Sequence, residues 1–342
     1  MDPISQGTFG GVFSQSFSSK KKLTVATVIG IISGLAPDLD VFIKSSYDPL
    51  LSLEYHRQFT HSFIFIPFGA VIVTLFTYNF VKKYVTFFEN YIFAFVGYST
   101  HALLDACTSY GTQLFWPFSD YRFAWNSISI IDPLLTVPIL ILMILAIILK
   151  KKFLNVIGFI WIFLYLGFGF FQSSVALKEA KNLAKYRNHD FKKITVKPSL
   201  GNLFLWKIVY LYEGKYYVDS VNLIGKTKFC FGETIEKFDT NIHYKNLNKD
   251  SKQFNDILRF SWFSQEYLAY DKDKDLIIDV RYSSIPNEAE GLWGIKINSD
   301  PNYKDHVKWV VNRGNFFEKG PKFKAMLLSL IHISEPTRPA II

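Results

Sequence analysis

Three histidines and three aspartates stand in short strings at the ends of apolar segments: Pro37-Asp38-Leu39-Asp40, His56-Arg57-Gln58-Phe59-Thr60-His61 and His101-Ala102-Leu103-Leu104-Asp105. The chain has only seven histidines, so nearly half of its imidazoles fall in this set. Imidazole and carboxylate are costly in hydrocarbon unless they are paired or bound to a cation. Together they are common donors for a divalent metal that activates water. Asp38 and Asp40 flank one residue after a helix-ending proline, and both can turn to one cation if the backbone is extended. A solvated turn accounts for that pair equally well. His56 and His61 lie beside Arg57, Thr60 and Ser62, just before an apolar helix that opens at Phe63. Thr60 suits a cap for that helix, His61 its outer mouth, and Arg57 a phosphate oxygen. A basic loop meeting lipid headgroups is the competing account. His101 and Asp105, at i and i+4, share one helix face. Asp105 either ligates directly or orients His101, unless the two form a plain buried hydrogen bond. Asp132, ahead of Pro133, is a ligand, a general base or a helix cap.

The elements that must position these residues are apolar runs. Leu23 to Ala36, Phe63 to Phe80, Tyr91 to Leu104, Leu134 to Leu149 and Phe153 to Phe171 read as five membrane segments. The longer ones approach the ~20 residues that a spanning helix needs. Residues 4–18, with Gly7, Gly10 and Gly11, make a weaker sixth segment that packs closely through its glycines. Short-loop lysines set the orientation. Lys20 to Lys22, Lys82 and Lys83, and Lys150 to Lys152 supply eight, whereas loops 41–60 and 108–131 carry only Lys44, Arg57 and Arg122. The lysine clusters therefore read as inside and the motif loops as outside. That count ignores the motifs, yet it puts every candidate ligand on one face.

At 342 residues the chain is long enough for about two domains. Its 49 % hydrophobic content is unevenly spread, which separates a membrane half from an extramembrane half. The net charge of +9 does not argue for nucleic acid, because the lysines cluster at helix ends as topology signals do. Cys107 and Cys230 are too few and too far apart for a disulfide framework. No signal peptide is expected, since acidic Asp2 precedes the first apolar stretch without early basic residues.

Composition changes after Phe171. Residues 173–190 read as a polar linker helix, and residues 191–327 as an antiparallel β-rich domain outside the membrane. Strands are expected at 203–210, 215–218, 276–282 and 293–297, where β-branched and aromatic residues alternate between turn residues. The run from Asp271 to Asp275 reads as a solvated turn; an EF-hand is excluded by the missing glycine and distal glutamate. His189, His243 and His306 share no ligand spacing, so this half is expected to add no metal ligands. Residues 328–342 resemble a translated sequencing adaptor, which would put the natural C-terminus elsewhere.

Asp2-Pro3, Pro37 to Asp40, His56 to Ser62 and His101 to Asp105 closely resemble the YdjM-like family of membrane-bound metal-dependent hydrolases, which includes LexA-regulated inner-membrane proteins. The resemblance covers roughly residues 1–172 and, more loosely, the β-rich tail. It departs at Gln6, where family members often carry histidine. It implies a multi-pass protein of the bacterial inner membrane and a hydrolytic activity. The resulting expectation is a hydrolase at the outer membrane–water interface, acting on a lipid or lipid-linked phosphoester. Asp38, Asp40, His56, His61, His101 and Asp105 would hold one or two divalent cations, zinc being the expected ion. Arg57 would stabilise the anionic transition state, and Asp132 is the further catalytic candidate. Two readings compete. A transporter or metal-handling protein would need a charged path deeper in the segments, which show almost no charge apart from Asp105. A membrane anchor presenting the β domain to a partner leaves the six-residue set without a role.

Overall fold

The computed structural model describes residues 1–300, 303–312 and 316–328. The adaptor-like tail lies, apart from Leu328, outside the described residues. The chain divides into two compact units. One comprises Met1–Ile43, Tyr55–Phe171 and Leu200–Asn202; the other comprises Lys44–Glu54, Gln172–Ser199 and the chain from Leu203 onward.

The first unit is helical. α1 (Pro3–Ser16) starts where Asp2 accepts the Ile4 and Ser5 amides and Pro3 fills the first position, the usual chemistry of a helix N-terminus. The weak sixth segment is thus a helix of 14 residues. Its glycines lie against α2 (Leu23–Leu35) so closely that a Cβ on Gly10 would strike the Gly30 carbonyl, and one on Gly30 would strike the Gly10 carbonyl. Small residues allow backbones to approach this way where no water drives helices together. α2 passes at Pro37 into a 3-10 turn, Ala36–Phe42. Five-residue α3 (Leu51–Tyr55) and two further 3-10 turns, Phe59–His61 and Phe63–Phe65, lead to α4 (Ile66–Val81). α5 (Phe87–Cys107) opens on a capping box in which Thr86 and Glu89 satisfy each other's amides. α6 (Pro133–Leu149) is capped by Asp132. Polar side chains join these helices internally: Gln15 Nε2 donates to Thr27 Oγ1 at 2.8 Å and Asn90 Nδ2 to Thr77 Oγ1 at 3.0 Å.

Among the described residues, three helical stretches are long and apolar enough to cross a membrane: Leu23–Phe42, Phe63–Val81 and Phe153–Tyr186. Pro133–Leu149 is apolar but shorter. In α7 (Phe153–Tyr186) the last apolar segment runs on without a break into the residues read as a linker helix, one continuous helix of 34 residues. No proline or glycine interrupts it after Gly169, and Ala176, Ala180 and Ala184 on its polar half are fully buried.

The second unit is built on an eight-stranded antiparallel meander in sequence order. The strands are β1 (Lys193–Pro198), β2 (Leu205–Tyr212), β3 (Lys215–Asn222), β4 (Lys228–Lys237), β5 (Leu268–Asp271), β6 (Leu276–Asp279), β7 (Trp293–Lys296) and β8 (Lys308–Val311). Tyr212 pairs with Lys215 across the two-residue loop Glu213-Gly214, where both residues have positive φ, as a tight hairpin requires. The run from Asp271 to Asp275 is the β5–β6 turn. Short α8 (Thr240–His243) and amphipathic α9 (Lys252–Phe263) follow β4, and α10 (Phe316–Leu327) follows β8. β1, β4, β5 and β8 escaped the sequence reading because polar residues break their alternation. One face buries Val209, Leu211, Tyr216, Val218 and Ile278. Charge is buried here too. Arg281 Nη2 meets Asp279 Oδ2 at 2.6 Å, and Lys207 Nζ donates to Ser283 Oγ at 2.7 Å and to the Glu288 carbonyl at 2.8 Å. Burial pushes the Lys207 amine down to about 7, and that of its cross-strand neighbour Lys197 well below the usual lysine range.

Candidate metal centre

Every helix end that carries a motif residue turns toward one cluster in the first unit. Asp38 and Asp40 come from the 3-10 turn after α2, His61 from the turn before α4, and His101 and Asp105 from the last turns of α5. Alternating helix directions bring a C-terminus, an N-terminus and a second C-terminus to the same end.

The cluster has two parts that share Asp38: Asp38, His61, His101 and Asp105 in one, and Asp38, Asp40 and His56 in the other. In the first, His61 Nε2 lies 2.9 Å from His101 Nε2, 3.5 Å from Asp38 Oδ1 and 3.4 Å from Asp105 Oδ2. His101 Nε2 lies 3.3 Å from Asp38 Oδ1 and 3.8 Å from Asp105 Oδ2. A tetrahedron with metal–ligand bonds of 2.0–2.1 Å has donor–donor edges of about 3.3–3.4 Å. The five separations scatter around that value. Asp105 Oδ2 is also fully buried and faces both histidines, with the Arg57 Nε on its other side at 2.9 Å.

The remaining nitrogens fix the rings. His101 Nδ1 meets the Gly34 carbonyl at 2.6 Å, and His61 Nδ1 meets Thr60 Oγ1 at 2.9 Å and Asp40 Oδ2 at 3.2 Å. Partners at Nδ1 leave Nε2 of each ring as the lone pair facing the cluster, the arrangement that orients metal-binding histidines. Burial acts to lower the His61 pKa, but hydrogen bonds that the Asp105, Asp38 and Asp40 carboxylates accept outweigh it and raise it to about 10. The carboxylates hold positive charge at this point. The donor set therefore fits a divalent cation in its chemistry, its edge lengths and its charge.

The outer part is closed differently. His56 Nδ1 lies 2.7 Å from Asp40 Oδ1, a direct hydrogen bond. Burial pushes the His56 pKa down against the upward pull of Asp40. Asp40 also receives the Arg57 amide at 3.0 Å and the Thr60 hydroxyl at 2.8 Å. Thr60 is thus not the helix cap expected from sequence: it braces Asp40 and His61. Arg57 has φ +65°, in the left-handed region that a bulky non-glycine residue occupies only where its surroundings hold it there. Its Nε faces Asp105 Oδ2 at 2.9 Å, and its Nη1 donates to Thr108 Oγ1 at 3.1 Å.

All six residues read as ligands gather here, with Arg57 against them. Asp132 does not join any ligand group: its Oδ1 caps the Leu135 amide at 3.3 Å and accepts the Tyr165 hydroxyl at 2.7 Å. Gln6, which sequence reading left without a role, is fully buried and donates from Nε2 to Asp105 Oδ1 at 2.9 Å. The Met1 α-amino group contacts the same carboxylate oxygen. No sequence signal marks these contacts, which span about a hundred residues of chain.

A further group with ligand-like spacing lies in the second unit, Asp48, Asp256 and His306. Its acids already bind Arg259, whose Nη2 meets Asp48 Oδ2 at 2.8 Å and whose Nη1 meets Asp256 Oδ1 at 2.8 Å.

A family model described as YdjM inner membrane protein matches residues 1–176, which hold the whole first cluster. A stretch of 109 residues is 30 % identical to the protein of Bacillus subtilis (strain 168) described as Uncharacterized protein YfhP. It covers 32 % of this chain and 33 % of that one, so the chain spans about a third of that relative's length. No solved structure matches the chain.

Proposed function

The chain belongs to the YdjM inner membrane protein family, and from that premise we propose that it is a multi-pass, metal-dependent hydrolase whose site faces the outer membrane–water interface. The observation that carries the reading is the set of donor separations among His61, His101, Asp38 and Asp105, from 2.9 to 3.8 Å, which suits one tetrahedral cation. Two histidines and two carboxylates favour zinc. Such a cation supplies Lewis acidity and a lowered water pKa.

The chain's own residues do the rest. A site with four protein donors is closed unless one yields. Asp38 is the donor suited to yield, since its side chain is 24 % exposed while those of the other three are fully buried. Access is therefore from the side of Asp38, where His56 also lies. His56 is our choice for the group that moves the proton: Asp40 fixes its Nδ1, and its depressed pKa leaves the ring neutral and basic near pH 7. Arg57 would hold the developing oxyanion. A site at headgroup depth, opened by helix ends, suits an amphiphilic substrate such as a lipid or lipid-linked phosphoester. Asp132 stays with α6 as a cap in this scheme.

A second reading has one observation behind it. The donor atoms of Asp38, Asp40 and His56 also lie within ligand distance of one another, which would allow a second cation with Asp38 between the two. Stoichiometry separates the readings. Detergent-purified protein should contain about one zinc per chain and hydrolyse an alkyl 4-nitrophenyl phosphate, while His56→Ala keeps the zinc and loses turnover. Two ions per chain, with His56→Ala losing one, would favour the second reading. Absence of any tightly held divalent metal would sink both.

A further inference from the structure

Arg122 entered the sequence reading only as a loop charge. It is 3 % exposed, and its guanidinium lies 5.7 Å from the centre of the Tyr110 ring. Arg57 lies 4.8 Å from the same ring. The two guanidinium carbons are therefore no farther apart than the sum of those distances. Tyr110 in turn stands edge-on to His56, with ring centroids 5.7 Å apart. One aromatic ring thus joins two buried guanidiniums to the open side of the cluster.

The loop is shaped to hold this arrangement. Thr112 and Phe123 exchange backbone hydrogen bonds at 3.0 and 2.9 Å, closing residues 112–123 into a ribbon. The Gln113 amide donates to the Arg57 carbonyl at 2.9 Å, tying the ribbon to the strained Arg57 turn. Gly111, at φ +92°, lies so near Arg122 that an added Cβ would come within 3.0 Å of the Arg122 Cβ, and its carbonyl accepts Arg122 Nη2 at 2.9 Å. The side chain of Gln113 is 1 % exposed, and its Nε2 donates to no partner among the described residues. Buried donors without acceptors are rare, and each calls for a group to receive it.

We propose that Arg57, Arg122 and Gln113 form an oxyanion-binding wall beside the metal centre, and that it takes the phosphoryl group of the substrate. This rests on the hydrolase reading and narrows it: the class is a phosphate ester, not a carboxylic ester or an amide. A phosphoryl group presents several oxygens at once, which matches two guanidiniums held in place by Asp105, Thr108 and the Gly111 carbonyl. A single carbonyl oxyanion would use only one.

The test uses the zinc-loaded full-length chain in detergent and inorganic phosphate, titrated calorimetrically. Phosphate should bind to the wild type. Arg122→Gln should weaken it about 10- to 100-fold, the range for one hydrogen bond to a charged group, and Gln113→Leu should weaken it by less. Zinc content should be unchanged in both, since neither residue belongs to the ligand set. If Arg122→Gln does not fold, Arg122→Lys decides: it keeps the charge without the fork, and several-fold weaker binding is expected. Undiminished affinity in whichever of these two variants folds would overturn the proposal, as would a zinc-loaded wild type that does not bind phosphate. Phosphate binding that depends on Arg122 in a chain without zinc would uphold the wall while refuting the hydrolase reading.

Discussion

Replacing His101 with alanine tests the metal centre most directly. His101 is fully buried and uses both ring nitrogens, Nδ1 on the Gly34 carbonyl and Nε2 among the cluster donors. Two losses should therefore separate. The first is independent of metal: an unpaired buried carbonyl and a small cavity cost roughly 1–3 kcal/mol. The second appears only with zinc. Loss of a partner that merely orients a ligand costs about 10–100-fold in affinity, so removing a ligand should cost at least ~100-fold. With free zinc at about 100 times the wild-type dissociation constant, binding stabilises the fold by ~2.7 kcal/mol. The same zinc would stabilise the variant by only ~0.4 kcal/mol. The difference of about 2.3 kcal/mol corresponds to a zinc-dependent shift of roughly 5–9 °C in a unit of this size. Melting should be followed with and without a chelator, alongside metal analysis. His243→Ala, which touches no ligand group, should behave as wild type. A folded His101→Ala protein that keeps its zinc and its chelator-sensitive shift would refute the assignment.

Three further outcomes are expected. Single cysteines introduced in residues 41–60 or 108–131 should label from outside the cell and those at residues 82–83 only from inside; reversed accessibility would place the site on the other face. Gly10→Leu should abolish the α1–α2 approach, because its side chain must displace the Gly30 carbonyl; overpacking costs about 1–3 kcal/mol or more, and a variant that melts like wild type would deny that contact. The second unit should become more stable as pH rises from about 7 toward 10.5, because folded Lys207 loses its proton near 7 while the unfolded chain keeps it up to the ordinary lysine value. Lysine burial thus opposes folding most below pH 7. Lys207 contributes at most about 1.4 kcal/mol per pH unit in that window and buried Lys197 adds a slope of the same sign, so Lys207→Met should reduce the slope without abolishing it; an unchanged slope would refute the Lys207 contribution.

What the sequence determined by itself was local. Apolar runs ended by Pro37 and by lysine clusters announced helices and their ends, because burial and helix breaking are properties of neighbouring residues. The i, i+4 spacing of His101 and Asp105 put both on one face before any fold was known. Loop charge placed all six candidate ligands at one end of the segments, and the structure gathers those six. The alternating aromatic and β-branched runs announced β2, β3, β6 and β7. The remaining strands needed the sheet: in β4 half the residues are exposed and only Cys230 is buried, so pairing rather than alternation holds them.

Only the tertiary structure decided the division of labour. Asp40 turned out to bind His56, Arg57, Thr60 and His61 together, and Asp132 turned out to cap α6 beneath Tyr165. Both are aspartates close to a helix-edge proline, Asp40 after Pro37 and Asp132 before Pro133, and proline alone does not say which one joins the cluster. Gln6, Tyr110 and Arg122 could not be read as parts of the site, since no local spacing ties them to its histidines and aspartates. Their meaning comes from contacts between distant parts of the chain, such as Gln6 with Asp105, and such contacts are fixed by helix packing. The close glycine contact of α1 with α2 brings the N-terminus of α1 to the cluster, and no spacing within the sequence records that approach.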